Sequence, residues 1–195
     1  MSTIYLLRHG QRVSRDEDTL LSEIGVRQAT LTAHYLQDKQ IASIHASPLK
    51  RTQQTAQIIN EKLQLPIIND ERLLERMVFD AERDDTFDEF LKMWDATTSD
   101  RDFQPPYGDS ARASGDRLKS VLDELADNSV HLIVSHGGVI GDFLRNLFSD
   151  EKLPFRSHPS STLKWVEISE CSVTEVQKQG GVYSLRRAND TSHLL

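Results

Sequence analysis

Four side chains, Arg8, His9, Arg51 and His136, stand where short apolar runs give way to glycine, proline or a helical period. Arg8 and His9 end the run "IYLLRHGQ" and precede Gly10; His136 ends "HLIVSHGG" and precedes Gly137 and Gly138; Arg51 lies just behind Ser47 and Pro48 in "ASPLKRTQQTA". Two guanidinium forks and two imidazoles gathered at one place suit a tetrahedral dianion, because each planar arginine pairs two oxygens at once and stays charged near neutrality. An imidazole held neutral in that company attacks phosphorus and forms a phosphohistidine, which water or a second acceptor relieves. A neighbouring acid then protonates the leaving oxygen. Singly, a histidine at a strand end is more often a hydrogen-bonded structural group; the conjunction of the four is what points to phosphoryl chemistry.

Such a cluster needs rigid supports. Ile4 to Leu7 and Leu132 to Val134 read as strands buried on both faces, as in a parallel sheet, and open α/β sheets bind ligands at the carboxyl ends of such strands. Val139, Ile140, Phe143, Leu144 and Leu147 fall at helical spacing, so Gly137 and Gly138 occupy a strand-to-helix turn whose backbone N–H groups face a ligand. Gly10 is expected to let the backbone approach the anion. Ser47 and Pro48 read as the start of the helix that carries Arg51. Residues 22 to 36 place Gly25, Ala29, Ala33 and Leu36 on one face, small enough to pack closely on a sheet, and the amphipathic segments 86 to 96 and 117 to 126 read as further helices. After residue 160 the period drops to two in "TLKWVEIS", "CSVTEVQ" and "VYSLRRA", predicting antiparallel strands that end the sheet, with Gly180 and Gly181 in a turn. The expected fold is an α/β three-layer sandwich with a mainly parallel central sheet flanked by helices. Residues 79 to 114, polar and turn-rich around one short helix, read as a substrate-covering insertion within a single domain of residues 1 to 195.

Composition bounds the partners. The 195 residues carry a formal charge of -7, which opposes a general role in binding nucleic acid or anionic membranes. No apolar run approaches the ~20 residues that span a bilayer and no signal-peptide layout opens the chain, so a cytoplasmic protein is expected. The one cysteine, Cys171, has no internal partner and reads as a small strand residue. No His, Asp and Glu grouping has metal-ligand spacing and the arginines would repel a cation, so neither a metal nor a cofactor is expected.

These motifs together resemble the histidine phosphatase superfamily, in its phosphoglycerate mutase-like branch. "LLRHGQ" matches its signature, "LSEIGVRQA" its first-helix segment, "ASPLKRTQQTA" the segment of its second arginine and "IVSHGG" that of its second histidine. "RLLER" resembles the segment holding its acid, and "GDSARASGDR" resembles a Gly-Glu-Ser stretch with Asp109 in place of Glu. The resemblance implies that His9 is the nucleophile, that Arg8, Arg51 and His136 bind the phosphoryl group beside Gly137, and that Glu75 is general acid and then base. On residue type alone Asp70 and Glu71 compete with Glu75 for that role. The family's "RHGxTxxN" pattern is broken, since Gln11, Arg12, Val13, Ser14 and Arg15 follow Gly10; Gln11 or Arg15 is a candidate replacement for the missing asparagine. The tail "RRANDTSHL" resembles that of some members and adds Asn189 and His193 as candidate substrate contacts, although terminal segments more often fray. "RMVFDAERDD" after Glu75 lacks the glycine and tryptophan common in sugar-phosphate branches, which implies a different leaving-group pocket. The reading is a metal-independent phosphatase that hydrolyses phosphomonoesters, its substrate a small phosphorylated metabolite or a phosphoprotein side chain. The alternatives are a phosphoglycerate mutase-type phosphotransferase and a catalytically silent phosphate-binding interaction protein.

Overall fold

Alternation along two strands decides the architecture. In the computed structural model, which describes residues 1–14, 18–80, 82–83, 86–157 and 163–195, strands β1 (Ser2–Arg8) and, further on, β4 (Val130–Ser135) bury both faces. Ile4, Leu6 and Ile133 join one apolar cluster while Tyr5, Leu7, Leu132 and Val134 join the other, as the two-residue period of a strand requires. Between and around them the chain runs through α1 (Glu23–Leu36), β2 (Ser43–Ala46), α2 (Lys50–Leu63), β3 (Ile67–Asn69), α3 (Phe87–Ser99), α4 (Ala111–Glu124) and α5 (Gly137–Leu147). It ends with β5 (Phe155–Ser157), β6 (Lys164–Val166), β7 (Val173–Gln179) and β8 (Val182–Asp190).

The main sheet has the order β3-β2-β4-β1-β7-β8. The first four strands are parallel and the last two antiparallel. Helices α4 and α5 cover the face of Ile4 and Leu6, and α1 and α2 the face of Tyr5 and Leu7. The three-layer α/β sandwich expected from the sequence is therefore the fold. Gly25, Ala29, Ala33 and Leu36 are buried along α1 as anticipated.

Several expectations are corrected. Of the three late segments only two join the main sheet: β6 pairs antiparallel with β5 in a separate ribbon, where Arg156 and Glu167 form an ion pair of 2.9 Å. Alternation reports a half-buried strand but not which sheet accepts it. Cys171 lies in a turn with φ 51°, and its N–H donates to the carbonyls of Arg8 and His9, so it ties down the end of β1. Burial pushes its thiol up to about 12, which makes it a packing residue. Helix α4 begins at Ala111, before the apolar period is visible, because the Ser110 hydroxyl accepts from the N–H of Ala113. Helix α2 begins at Lys50, and the Ser47 hydroxyl is used elsewhere. Gly10 serves α1 and not an anion: a Cβ there would lie 2.6 Å from the Gly25 carbonyl oxygen, and one on Gly25 would lie 2.9 Å from the Gln11 nitrogen. Among the described residues no helix is long and apolar enough to cross a membrane.

One buried charge is structural. The Lys178 ammonium, on β7, donates to the carbonyls of Leu122, Asp123 and Leu125 at 2.9, 3.2 and 2.9 Å, closing the carboxyl end of α4. Lys178→Met removes the ammonium from those carbonyls, of which that of Leu122 keeps a backbone donor, the Leu125 N–H, and is expected to lower the unfolding free energy by about 2–3 kcal/mol, with turnover per folded molecule unchanged. Urea titration with activity measured at native conditions checks both halves.

Candidate active site

Because β1 and β4 run parallel with Arg8 opposite Ser135, the residues that follow emerge side by side. The His9 N–H donates to the Ser135 carbonyl at 3.0 Å, and the rings of His9 and His136 stand 5.3 Å apart at 64°. On the other side of β4, the Ser47 N–H donates to the Val134 carbonyl, which sets the start of α2 against the same edge. Arg51, in the first turn of α2, is buried and lies between the two imidazoles. Its Nε donates to His9 Nε2 and its Nη2 contacts His136 Nδ1, both at 3.2 Å.

A guanidinium has only donors, so both of those ring nitrogens must be acceptors. The proton of His9 is thereby assigned to Nδ1, which meets the Gly10 carbonyl at 2.8 Å. That of His136 is assigned to Nε2, which meets Ser47 Oγ at 2.8 Å. The lone pair of His9 is on Nε2, where the Arg51 Nε–H meets it. Burial, and then the charges of Arg8 and Arg51, hold His9 well below the usual imidazole range. Burial and then Arg51 do the same to His136. Burial also lowers Arg51 to about 10, which leaves it charged at neutrality.

Arg8, His9, Arg51, Glu75 and Gly137 all line one cavity of about 640 Å³ at the carboxyl edge of the sheet. Arg8 is aimed by the Ile168 carbonyl, which accepts from Nη1 at 2.6 Å, and by Glu170, 3.4 Å from Nη2. Its Nε is buried with no hydrogen-bond partner among the described residues. Gly137 makes room for this arginine, since a Cβ there would lie 3.3 Å from Arg8 Cδ. His136 is fully buried and stands behind Arg51 and His9, not on the cavity wall.

Glu75 holds a second position of consequence. Its Oε1 accepts from the N–H groups of Arg76 and Val139, each at 2.9 Å, and its Oε2 from that of Gly138 at 3.0 Å. Of the N–H groups of the glycine turn, expected to face a ligand, that of Gly138 thus faces a carboxylate placed at the positive end of α5. Gly138 has no room for a side chain, because a Cβ would lie 2.6 Å from the Trp94 ring. Of the competing acids, Asp70 is engaged by the Arg72 guanidinium at 2.8 Å, and neither it nor Glu71 lines the cavity.

The remaining candidates lie elsewhere. Gln11 braces the start of α1: its N–H donates to Gln28 Oε1 and its own Oε1 accepts from Ser22 Oγ, both at 2.9 Å. Asn189, at φ 53°, accepts from the Ser169 N–H at 2.6 Å and so steadies the loop that aims Arg8 without reaching the cavity itself. His193 stacks on Tyr35 at 4.8 Å and bonds Thr32 Oγ1 at 3.0 Å, on the far flank of α1. The tail is pinned, not frayed. Arg15 lies outside the described residues.

Three features were missed. Ser47 fixes the tautomer of His136, a partnership between residues 89 apart that no local pattern signals. Arg76, itself buried, lines the cavity, with Nη1 on the Asp142 carboxylate at 3.1 and 3.2 Å and Nη2 on Thr98 Oγ1 at 2.9 Å. Burial raises Asp142 to about 7 against the pull of Arg76. The guanidinium of Arg76 also lies 4.1 Å from the centre of the Trp94 ring. A charged residue directly after Glu75, and an acid on the buried face of α5, were the available signals.

A mainly parallel α/β sheet with its histidines and arginines at the carboxyl edge is a phosphoglycerate mutase-like architecture. The model of the histidine phosphatase superfamily, branch 1, matches residues 4–191, and the chain belongs to that superfamily of phosphoryl-transfer enzymes. A protein named probable phosphoglycerate mutase GpmB, from Yersinia pestis, is 31% identical over 208 residues covering 100% of this chain and 95% of the relative. The mycobacterial glucosyl-3-phosphoglycerate phosphatase in complex with VO3 superposes with a TM-score of 0.73 at 24% identity, over 97% of this chain and 99% of that one. The phosphoglycerate mutase of Bacillus anthracis gives a TM-score of 0.73 at 21% identity, over 99% and 95%. At such identities these two structures speak for the fold.

Proposed function

We infer that this chain is a metal-independent phosphatase that hydrolyses phosphomonoesters through a phosphohistidine on His9. The observation that carries the reading is the His9 ring itself, with Nδ1–H on the Gly10 carbonyl and the Nε2 lone pair in a cavity lined by Arg8 and Arg51. Nε2 attacks phosphorus as the ester oxygen departs; Arg51 exchanges its bond to Nε2 for phosphoryl oxygens, joined by the open Nε–H of Arg8. Glu75 supplies the proton to the departing oxygen. As carboxylate it then removes a proton from the water that attacks the phosphohistidine, returning inorganic phosphate and the free ring. His136, held by Ser47, positions Arg51 from behind. A small phosphorylated metabolite suits the cavity, whose outer walls come from residues 77–79, from α3, and from residues 156 and 165–170, better than a side chain on a folded phosphoprotein.

The test is hydrolysis of an aryl phosphate in excess chelator as a function of pH. Because burial and two arginines depress His9, its neutral nucleophilic form persists on acidification. The acid limb of kcat/KM, once the second ionisation of the substrate near pH ~6 is allowed for, is therefore expected below pH 6.5. Activity lost in chelator and restored by a divalent cation would overturn the reading.

A second reading follows from the Yersinia pestis relative named a probable phosphoglycerate mutase. There the phosphohistidine returns its group to a phosphoglycerate instead of to water. Isotopic phosphate retained in phosphoglycerate, with little released, is the result that would favour it.

A further inference from the structure

The cavity has a second half that the phosphoryl chemistry does not use. Beyond Glu75 its wall is formed by α3 and the residues leading into it. Trp94 comes first: its ring abuts Gly138, beside the Glu75 carboxylate, and Arg76 fixes it from the other side. Phe90 follows at 6.1 Å from Trp94, then Phe79 and Phe87, at 5.8 Å each from Phe90, in a continuous run of edge and stacked contacts. Leu91 lines the same wall and is 40% exposed. A substituent on an ester oxygen held by Glu75 thus starts beside the benzo edge of the Trp94 indole.

Most of the charge on this half is paired. Arg76 bonds Asp142 at 3.1 Å and Arg156 bonds Glu167 at 2.9 Å. Arg145 is turned to the Thr98 carbonyl and the ring of Phe155. Asp95 adds a negative charge to the wall. A substrate with a carboxylate beside its ester would exchange water for carboxylates and ring faces, whereas an uncharged apolar substituent would exchange water for aromatic surface.

We propose that the α3 wall is a leaving-group subsite for phosphomonoesters with an uncharged aromatic or otherwise apolar substituent, and that Trp94 is its principal specificity residue. The proposal rests on the phosphohistidine reading above. It separates this chain's substrate class from compact carboxylated esters such as phosphoglycerate.

The experiment compares 2-phenylethyl phosphate, ethyl phosphate and 3-phosphoglycerate, whose leaving groups are all alcohols, so that intrinsic reactivity differs little. For the native chain kcat/KM is expected to favour the phenylethyl ester over both others by roughly 30-fold or more, since a ring fills several methylenes' worth of apolar pocket. Trp94→Ala is expected to lower kcat/KM for phenylethyl phosphate far more than for ethyl phosphate and so to remove most of that preference. Leu91→Ala, at an exposed position where folding is not at risk, is expected to lower phenylethyl turnover alone by about threefold. Quenching in alkaline detergent, in which the P–N bond survives, reports phosphohistidine formation from each ester independently of release. Phosphohistidine formed equally well from ethyl and phenylethyl phosphate, or best from 3-phosphoglycerate, overturns this assignment and leaves the catalytic reading standing. No phosphohistidine from any ester overturns both.

Discussion

His9→Ala is expected to abolish turnover, lowering kcat by on the order of 10⁴-fold or more, because in the proposed mechanism it removes the atom that bonds to phosphorus and not merely a contact to it. No acid-labile phosphoenzyme should form with any ester. The variant is expected to fold, since the backbone of residue 9 remains bonded to Ser135 and the strand before it keeps its registers with β4 and β7. Residual affinity for phosphate should persist, because Arg8 and Arg51 remain charged. Rapid-quench labelling with a radioactive ester, alongside a phosphate-binding titration, separates the two properties. A labelled protein recovered from the alanine variant would place the covalent step on another residue.

Glu75→Gln is expected to act in two ways of different size. As the proposed proton source, Glu75 is expected to be worth about 10²–10⁴-fold in kcat for alkyl esters, whose alkoxide cannot leave unprotonated. For an ester of an acidic phenol the loss should be far smaller, since that leaving group needs little protonation. As the group at the start of α5, the carboxylate accepts three N–H bonds. An amide turns its NH₂ toward one of those donors, and the expected cost to folding is about 1 kcal/mol. Ethyl and nitrophenyl phosphates assayed side by side, with a urea titration of the same variant, resolve the two effects. Equal losses on both esters would mean that Glu75 shapes the site without moving a proton.

Much of this arrangement could be read from the chain because its signals are short-range. The apolar run into Arg8 and His9, the glycine turn after His136 and the small face of α1 each report their own burial within a dozen residues. The parallel core strands gave the sheet, and the sheet brought the two histidines to one edge. What escaped the sequence is pairing at a distance. Ser47 looks like a helix cap because its neighbours are those of a cap, yet its hydroxyl is taken by a histidine on another strand. Gln11 looks like a phosphate amide, but α1 begins so close to it that Ser22 claims its side chain. His193 looks like a mobile tail until Tyr35 and Thr32 hold it. Arg76 and Asp142 pair between residues 66 apart in sequence, a relation that composition cannot show.

The position of β1 in the sheet has a consequence for biogenesis. Strand β1 is an interior one and leaves the ribosome well before its two neighbours, β4 and β7, residues 130–135 and 173–179. The nascent chain must therefore carry the strand that leads into His9 as an unpaired apolar segment until both have been made. Contacts so remote in sequence fold slowly and expose strand edges meanwhile. Ribosome-bound chains halted before β7 should accordingly be protease-sensitive at their amino end and dependent on chaperones, and the enzyme should acquire its chemistry in one late step.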